Sequence, residues 1–166
     1  MNIEKYKNWH EKHAGFYRKR PLLKKGLLFL DAFSVITVAF LYTLALILAF
    51  LKRQSWAEYK LVLFPLAGFL LASLLRLFID KKRPYELGVT PLVEKPTKGN
   101  SFPSRHLTSA FLIGATLLNT FPILGGIVLF FGCCLGYTRC AIGVHFPVDV
   151  LAGAVLGGIL GGLSFL

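Results

Sequence analysis

The sequence predicts an all-α fold, a polytopic membrane bundle of five or six transmembrane helices. Three observations carry that expectation. Hydrophobic residues make up 55% of the 166-residue chain and charged residues only 16%, too little charge to clothe a soluble domain of this size. Several uninterrupted apolar runs approach or exceed the ~20 residues that cross a bilayer. Between two of them lies "DKKRPYELGVTPLVEKPTKGNSFP", whose prolines and glycines exclude a lipid-embedded helix.

The elements follow in order. Residues 1–25 hold eight of the 19 Lys and Arg and read as a basic amphipathic segment at the membrane interface, beside anionic lipid. They are not expected to be a cleaved signal, since no small-residue cleavage site follows the next apolar run. Residues 26–166 form the transmembrane domain. Its first span is 26–51, interrupted only by Asp31, to which the sequence assigns no role. "KRQSWAEYK" reads as a polar connection, and 61–79 as the second span, with Arg76 near its end. Residues 80–103 are a loop at the water interface. The uncharged stretch 107–137 splits at "NTFP" into two helices, one beginning near Ser104 and one ending near Thr138. A polar interval, "TRCAIGVHFPVD", leads into a last span over 148–166, whose glycines suit close helix packing in lipid. Cys133, Cys134 and Cys140 have no zinc-type spacing and are assigned to packing. The net charge of +11 therefore points to lipid headgroups; nucleic acid is excluded for want of a soluble surface to bind it.

The polar residues that interrupt the spans carry the chemistry. With five spans of alternating direction, the 80–105 and 138–147 loops share one side of the membrane. That brings Arg76, Arg83, Arg105, His106, Arg139, His145 and Asp149 to a single face. Ionisable groups at membrane depth are costly and usually functional. Arg76 and Arg83 are two helical turns apart and are expected on one helix face, with Pro84 ending that helix. His145 and Asp149 form an i,i+4 pair in which the carboxylate accepts a hydrogen bond from the imidazole. Pro103 precedes a helix start, which turns Ser104 and free backbone N–H groups toward a bound anion. Lys81 and Lys82 are expected to meet headgroups, and His10 and His13 to be solvated.

Arginine forks match phosphate oxygens, and two histidines allow one to attack phosphorus while the other protonates the departing oxygen. After Lys95 the only acidic residue is Asp149, so the carboxylates that would hold Mg²⁺ or a metal pair are missing. A metal-free and cofactor-free phosphoryl transfer fits this inventory best.

In these residues the chain resembles the type 2 phosphatidic acid phosphatase (PAP2) superfamily, which shares its helical core with vanadium haloperoxidases. That family carries Lys-x6-Arg-Pro, Pro-Ser-Gly-His and Ser-Arg-x5-His-x3-Asp. Here the counterparts are "RLFIDKKRP" (Arg76, Arg83, Pro84), "PSRH" (Pro103 to His106) and "TRCAIGVHFPVD" (Thr138, Arg139, His145, Asp149). Three residues depart from the pattern: Arg76 keeps a charge, Thr138 keeps a hydroxyl, and Arg105 adds a cation where the family has glycine. The resemblance implies His145 as nucleophile through a phosphohistidine, Asp149 as its orienting partner and His106 as general acid. It implies Arg76, Arg83, Ser104, Arg105 and Arg139 around the phosphoryl oxygens.

The expected function is that of a multi-pass cell-membrane phosphatase acting on a lipid phosphate or diphosphate: phosphatidic acid, phosphatidylglycerol phosphate or a polyprenyl diphosphate. A non-catalytic protein that binds or moves anionic lipid with the same arginines is the rival reading. It has no use for His106 or for the His145–Asp149 spacing. A haloperoxidase is disfavoured because its relatives are soluble and larger. By charge bias the basic N-terminus and the site share the cytoplasmic side, whereas many six-span relatives work on the outer face. An outward site would need residues 1–25 to add a membrane-embedded element.

Overall fold

The computed structural model describes residues 3–52, 55–93 and 98–166. Among these there is no strand. The helices are α1 (Ile3–Arg18), α2 (Pro21–Lys52), α3 (Ser55–Ile79), α4 (Arg105–Thr120), α5 (Pro122–Ile142) and α6 (Pro147–Gly162), with short 3₁₀ turns at Pro84–Leu87 and Leu163–Phe165. Helices α2, α3, α5 and α6 are long and apolar enough to cross a membrane. They turn large side chains outward, among them Phe29, Phe40, Phe78, Phe130 and Ile159, as faces solvated by lipid do. This is a multi-pass membrane protein.

The five expected spans correspond to α2–α6, with two differences. The polar stretch 52–60, expected as a connection, is largely the first turns of α3, and only residues 53–54 lie outside the described residues. Helix α4 has 16 residues, about 24 Å at 1.5 Å per residue, which is short of a ~30 Å hydrocarbon core. It does not need that length, because it stands inside the bundle. Its residues from Leu107 to Leu117 are almost all buried.

Glycine explains how α4 can be so enclosed. Gly153, Gly157 and Gly161 recur every fourth residue and make one face of α6. A side chain at Gly153 would meet the Ser104 carbonyl at 2.6 Å, one at Gly161 would meet Ala115 Cβ at 2.6 Å, and one at Gly157 would collide with the Thr108 carbonyl. The two backbones therefore touch along a stripe of small residues, the packing that lipid favours because no hydrophobic effect operates between spans. Pro122 and Pro147 occupy first helical turns, where a missing N–H costs nothing.

Helix α1 is not among the helices suited to spanning. It packs across one end of the bundle through Tyr6, His10 and Ala14, again every fourth residue. Ala14 joins Leu27, Leu92, Ala141, Ile142 and Val144 in one apolar cluster, and Tyr6 joins Val89 and Phe146 in another. His10, expected in solvent with His13, is instead fully buried, whereas His13 stays near the surface with Nδ1 2.7 Å from the Trp9 carbonyl.

The loop after α3 also departs from expectation. Helix α3 stops at Ile79, and Asp80 adopts a left-handed φ of 34°. Pro84 therefore does not end α3 but opens the 3₁₀ turn. Arg83 sits on extended backbone ahead of it and does not share a helix face with Arg76. The loop is tied across its base. Ser101 N–H donates to the Lys81 carbonyl at 2.8 Å, and the Glu86 carboxylate accepts from the N–H groups of Arg83 and Gly99, both at 2.8 Å. These ties bring the two arms of the loop side by side over the end of α4.

Candidate active site

The nucleophile candidate comes from the turn between α5 and α6. Gly143 closes α5 at φ 87°, and the N–H groups of Val144 and His145 turn back toward the Arg139 carbonyl at 3.1 and 3.4 Å. His145 thus lies just before α6 rather than on it, and Pro147 starts that helix. The residue is 2% exposed. Its Nδ1 stands 3.9 Å from Asp149 Oδ2, beyond hydrogen-bond range, so the expected direct bond is not made. Ser101 bridges the gap: its Oγ donates to Asp149 Oδ2 at 2.6 Å and lies 3.3 Å from His145 Nδ1. Nδ1 is thereby engaged on the protein side, and His145 lines the chamber described below.

Asp149 is fully buried and its oxygens are saturated. Oδ2 also accepts the Phe146 N–H at 3.1 Å, and Oδ1 pairs with Lys81 Nζ at 2.6 Å. Lys81 is therefore part of the site and not a headgroup contact; Lys82 remains exposed. A buried carboxylate needs this neutralisation, because an unpaired charge there costs several kcal/mol. Burial holds the His145 imidazole below its ordinary range, with the nearby Asp149 carboxylate working in the opposite direction. The ring is accordingly neutral near pH 7, the state a nucleophile requires.

Arg76, Arg83, Arg105, His106, Arg139, Val144 and His145 surround a chamber of about 190 Å³. Three of its arginines are held from behind. Arg76 Nη1 donates to the Pro103 carbonyl at 3.1 Å and Arg83 Nε to the Gly99 carbonyl at 3.0 Å. Arg139 Nε forms an ion pair with Asp31 at 3.1 Å. Asp31 also accepts the Thr138 hydroxyl at 2.7 Å, so the one charge within the first span has a partner and a place in the site. Ser104 stands immediately before the first residue of α4, close to the expected helix start, and its buried Oγ has no hydrogen-bond partner among the described residues. It and Asp149 stand outside the chamber lining. His106 lines both the chamber and an adjoining groove of about 470 Å³ walled by Val35, Val38, Tyr42, Phe69 and Ile113. The groove is apolar and the chamber cationic, and they meet at Arg105 and His106. No group of three His, Cys, Asp or Glu suited to a metal ion occurs among the described residues.

The structure therefore gathers the predicted residues at one end of the bundle and adds others. Ser101, Lys81 and Asp31 hold the chemistry in place. Behind them, the Tyr6 hydroxyl donates toward the carbonyls of His145 at 3.2 Å and Cys140 at 3.4 Å. His10 fills the space over Gly143, where a side chain would meet its Nε2 at 2.6 Å. The carbonyls of Ala141 and Ile142 lie near that ring, but neither makes an aligned hydrogen bond to it. Burial holds the His10 imidazole below its ordinary range. The four-residue spacing of Tyr6, His10 and Ala14 was the available signal for this contact. Ser101, Lys81 and Asp31 carried no pattern that a single sequence could reveal.

Comparison with known proteins agrees with this architecture. The chain is 29% identical to undecaprenyl-diphosphatase BcrC of Bacillus subtilis, over 99% of this chain and 83% of that protein. It is 34% identical to the lipid A 1-phosphatase of Rhizobium etli over 63% of this chain, spanning 47% of that longer protein. Aquifex aeolicus LpxE superposes with a TM-score of 0.72 at 29% identity, covering 95% of this chain and 93% of the other. Residues 80–166, which hold every predicted site residue except Arg76, match the model of the PAP2 superfamily. The chain belongs to the PAP2 superfamily.

Proposed function

We propose that this PAP2 chain is a membrane phosphatase that hydrolyses a phosphate ester or diphosphate of a lipid through His145. The observation that carries the reading is the meeting of a four-arginine chamber with an apolar groove at His106. A lipid phosphate has the same two-part chemistry, and relatives similar to this chain bear the names of lipid phosphatases.

The geometry supports the following roles. Arg76, Arg83 and Arg139 hold the phosphoryl oxygens, with Ser104 Oγ and the first N–H groups of α4, that of Arg105 among them, behind, and Arg105 lines the same chamber toward the groove. Charge-assisted bonds to a doubly charged phosphoryl group are the strong ones. Neutral His145 attacks phosphorus, the bond from phosphorus to the lipid oxygen breaks, and His106, having taken up a proton once the anionic substrate lies among the arginines, gives it to that oxygen. His106 then takes a proton from water, whose oxygen displaces His145 and releases phosphate. Asp149, with Ser101 and Lys81, fixes the ring and offsets the positive charge that it gains on phosphorylation. A carrier of anionic lipid would need the arginines but not a buried histidine backed by a serine and a carboxylate.

The test is to quench the purified protein during turnover of a lipid substrate labelled with ³²P on the phosphate to be released. An acid-labile, base-stable label on His145 is expected, absent from His145→Ala along with phosphate release. Turnover by His145→Ala at the wild-type rate would remove the mechanism.

A further inference from the structure

Arg105 differs from the other site arginines in having nothing among the described residues to hold it. Arg76, Arg83 and Arg139 each rest on a carbonyl or a carboxylate. Among the described residues Arg105 has neither a hydrogen bond nor an ion pair, and its side chain is exposed. It nevertheless borders three spaces: the reaction chamber, the apolar groove, and an outer pocket of about 320 Å³ reaching to Lys98 and Asn100. Among the described residues it is the only Arg or Lys that lines both the chamber and the groove.

The charges of the site do not close around a single phosphate. Lys81 answers Asp149, and Arg139 answers Asp31. Among the described residues Arg76, Arg83 and Arg105 form no ion pair with a carboxylate. One phosphoryl group brings about −1.5 to −2, which leaves roughly one of these three cations free to meet a second anionic group. The place of that cation is informative. A lipid whose terminal phosphate lies against His145 and whose tail lies in the groove must pass from one to the other at Arg105 and His106. Whatever joins phosphate to tail sits there.

We propose that Arg105 is a specificity-determining residue that binds the inner phosphate of a lipid diphosphate, the one bonded to the tail. This rests on the phosphatase reading given above and narrows its substrate. In the step it serves, His145 Nε2 bonds to the terminal phosphorus and the bridging P–O bond breaks. The bridging oxygen leaves as part of a lipid monophosphate, taking its proton from His106, while Arg105 stabilises the charge that gathers on the leaving phosphate. Water then frees inorganic phosphate from His145. The lipid monophosphate that is left would have to be supplied as diphosphate and consumed as monophosphate by other reactions.

The experiment measures kcat/KM in detergent for a polyprenyl diphosphate and for the monophosphate of the same polyprenol. It compares the wild type, Arg105→Gln, Arg105→Lys and Arg83→Gln, with thermal melts to establish folding. The wild type is expected to prefer the diphosphate. Arg105→Gln should lower the diphosphate-to-monophosphate ratio by about tenfold or more, the scale of one lost charge-assisted bond, and Arg105→Lys should restore part of it. Arg83→Gln should slow both substrates and keep the ratio. An unchanged ratio in Arg105→Gln, or an equal fall of the ratio in Arg83→Gln, overturns the role of Arg105 and leaves the phosphatase intact. Wild-type protein that releases phosphate from neither lipid overturns both.

Discussion

The two walls of the chamber are built on opposite principles. On the His145 wall the key polar groups have protein partners: Asp149 accepts from Ser101, Lys81 and the Phe146 N–H, and Ser101 bridges to the imidazole. On the wall formed by the α4 N-terminus and the 80–104 loop, contacts are left open. Among the described residues Ser104 Oγ is buried without a partner, Arg105 makes no hydrogen bond or ion pair, and Arg76 and Arg83 are each held by one backbone carbonyl. Buried polar atoms are ordinarily satisfied, so the difference separates a wall complete in the free protein from one completed by its ligand. The first wall holds the chemistry in place, and the second spends its interactions on substrate.

That contrast can be broken by substitution. The largest effect is expected at Asp149. Asp149→Asn should lower kcat by about 10²–10⁴-fold, the range for losing control of a catalytic histidine. It should also destabilise the free protein, because Lys81 loses its buried partner. The pH profile carries a sign. Asp149 raises the His145 pKa against the effect of burial, so the residual activity of Asp149→Asn should keep its acidic limb at lower pH than wild type. A limb that moves to higher pH would contradict the pairing.

Arg83→Gln belongs to the open wall and should behave differently. KM for a lipid phosphate should rise by about 10–100-fold, the scale of a charge-assisted hydrogen bond. The melting temperature of the free protein should hold or rise, since a cation facing Arg76 and Arg105 is removed. A large loss of stability without ligand would mean that this wall is structural after all.

The smallest effect is expected at Ser101. Removing its hydroxyl in Ser101→Ala takes away one bridge, about 1 kcal/mol, or a severalfold fall in kcat with little change in KM. A rise in KM with kcat preserved would move Ser101 from the completed wall to the open one.

Much of this protein could be read from the chain alone. The apolar runs had to become lipid-facing helices, because nothing else satisfies backbone groups in a bilayer. The prolines at 103, 122 and 147 marked where helices begin. The motif residues from Arg76 to Asp149 could be named because their spacing is local and sits at the ends of apolar runs. What the sequence misplaced were details that hang on a single backbone angle. Asp80 turns left-handed and takes Arg83 off the helix of Arg76. Pro147 begins α6 two residues too late for His145 to stand on it with Asp149.

Only the tertiary structure decided who stands behind the motif residues. Lys81 reaches across 68 positions to Asp149, Ser101 across 48, and Asp31 across 107 to Thr138. Such pairs leave no periodicity in a sequence, because they arise where separate helices and loops converge. Helix α1 is the same case: its basic residues marked it as a surface segment, yet the stripe of Tyr6, His10 and Ala14 buttresses the turn that carries His145. The sequence determined the solvent of this protein and the kinds of groups at its site, since both follow from composition and local spacing. Which of those groups are spent on one another, and which are left for a ligand, depends on distances across the bundle and could be decided only there.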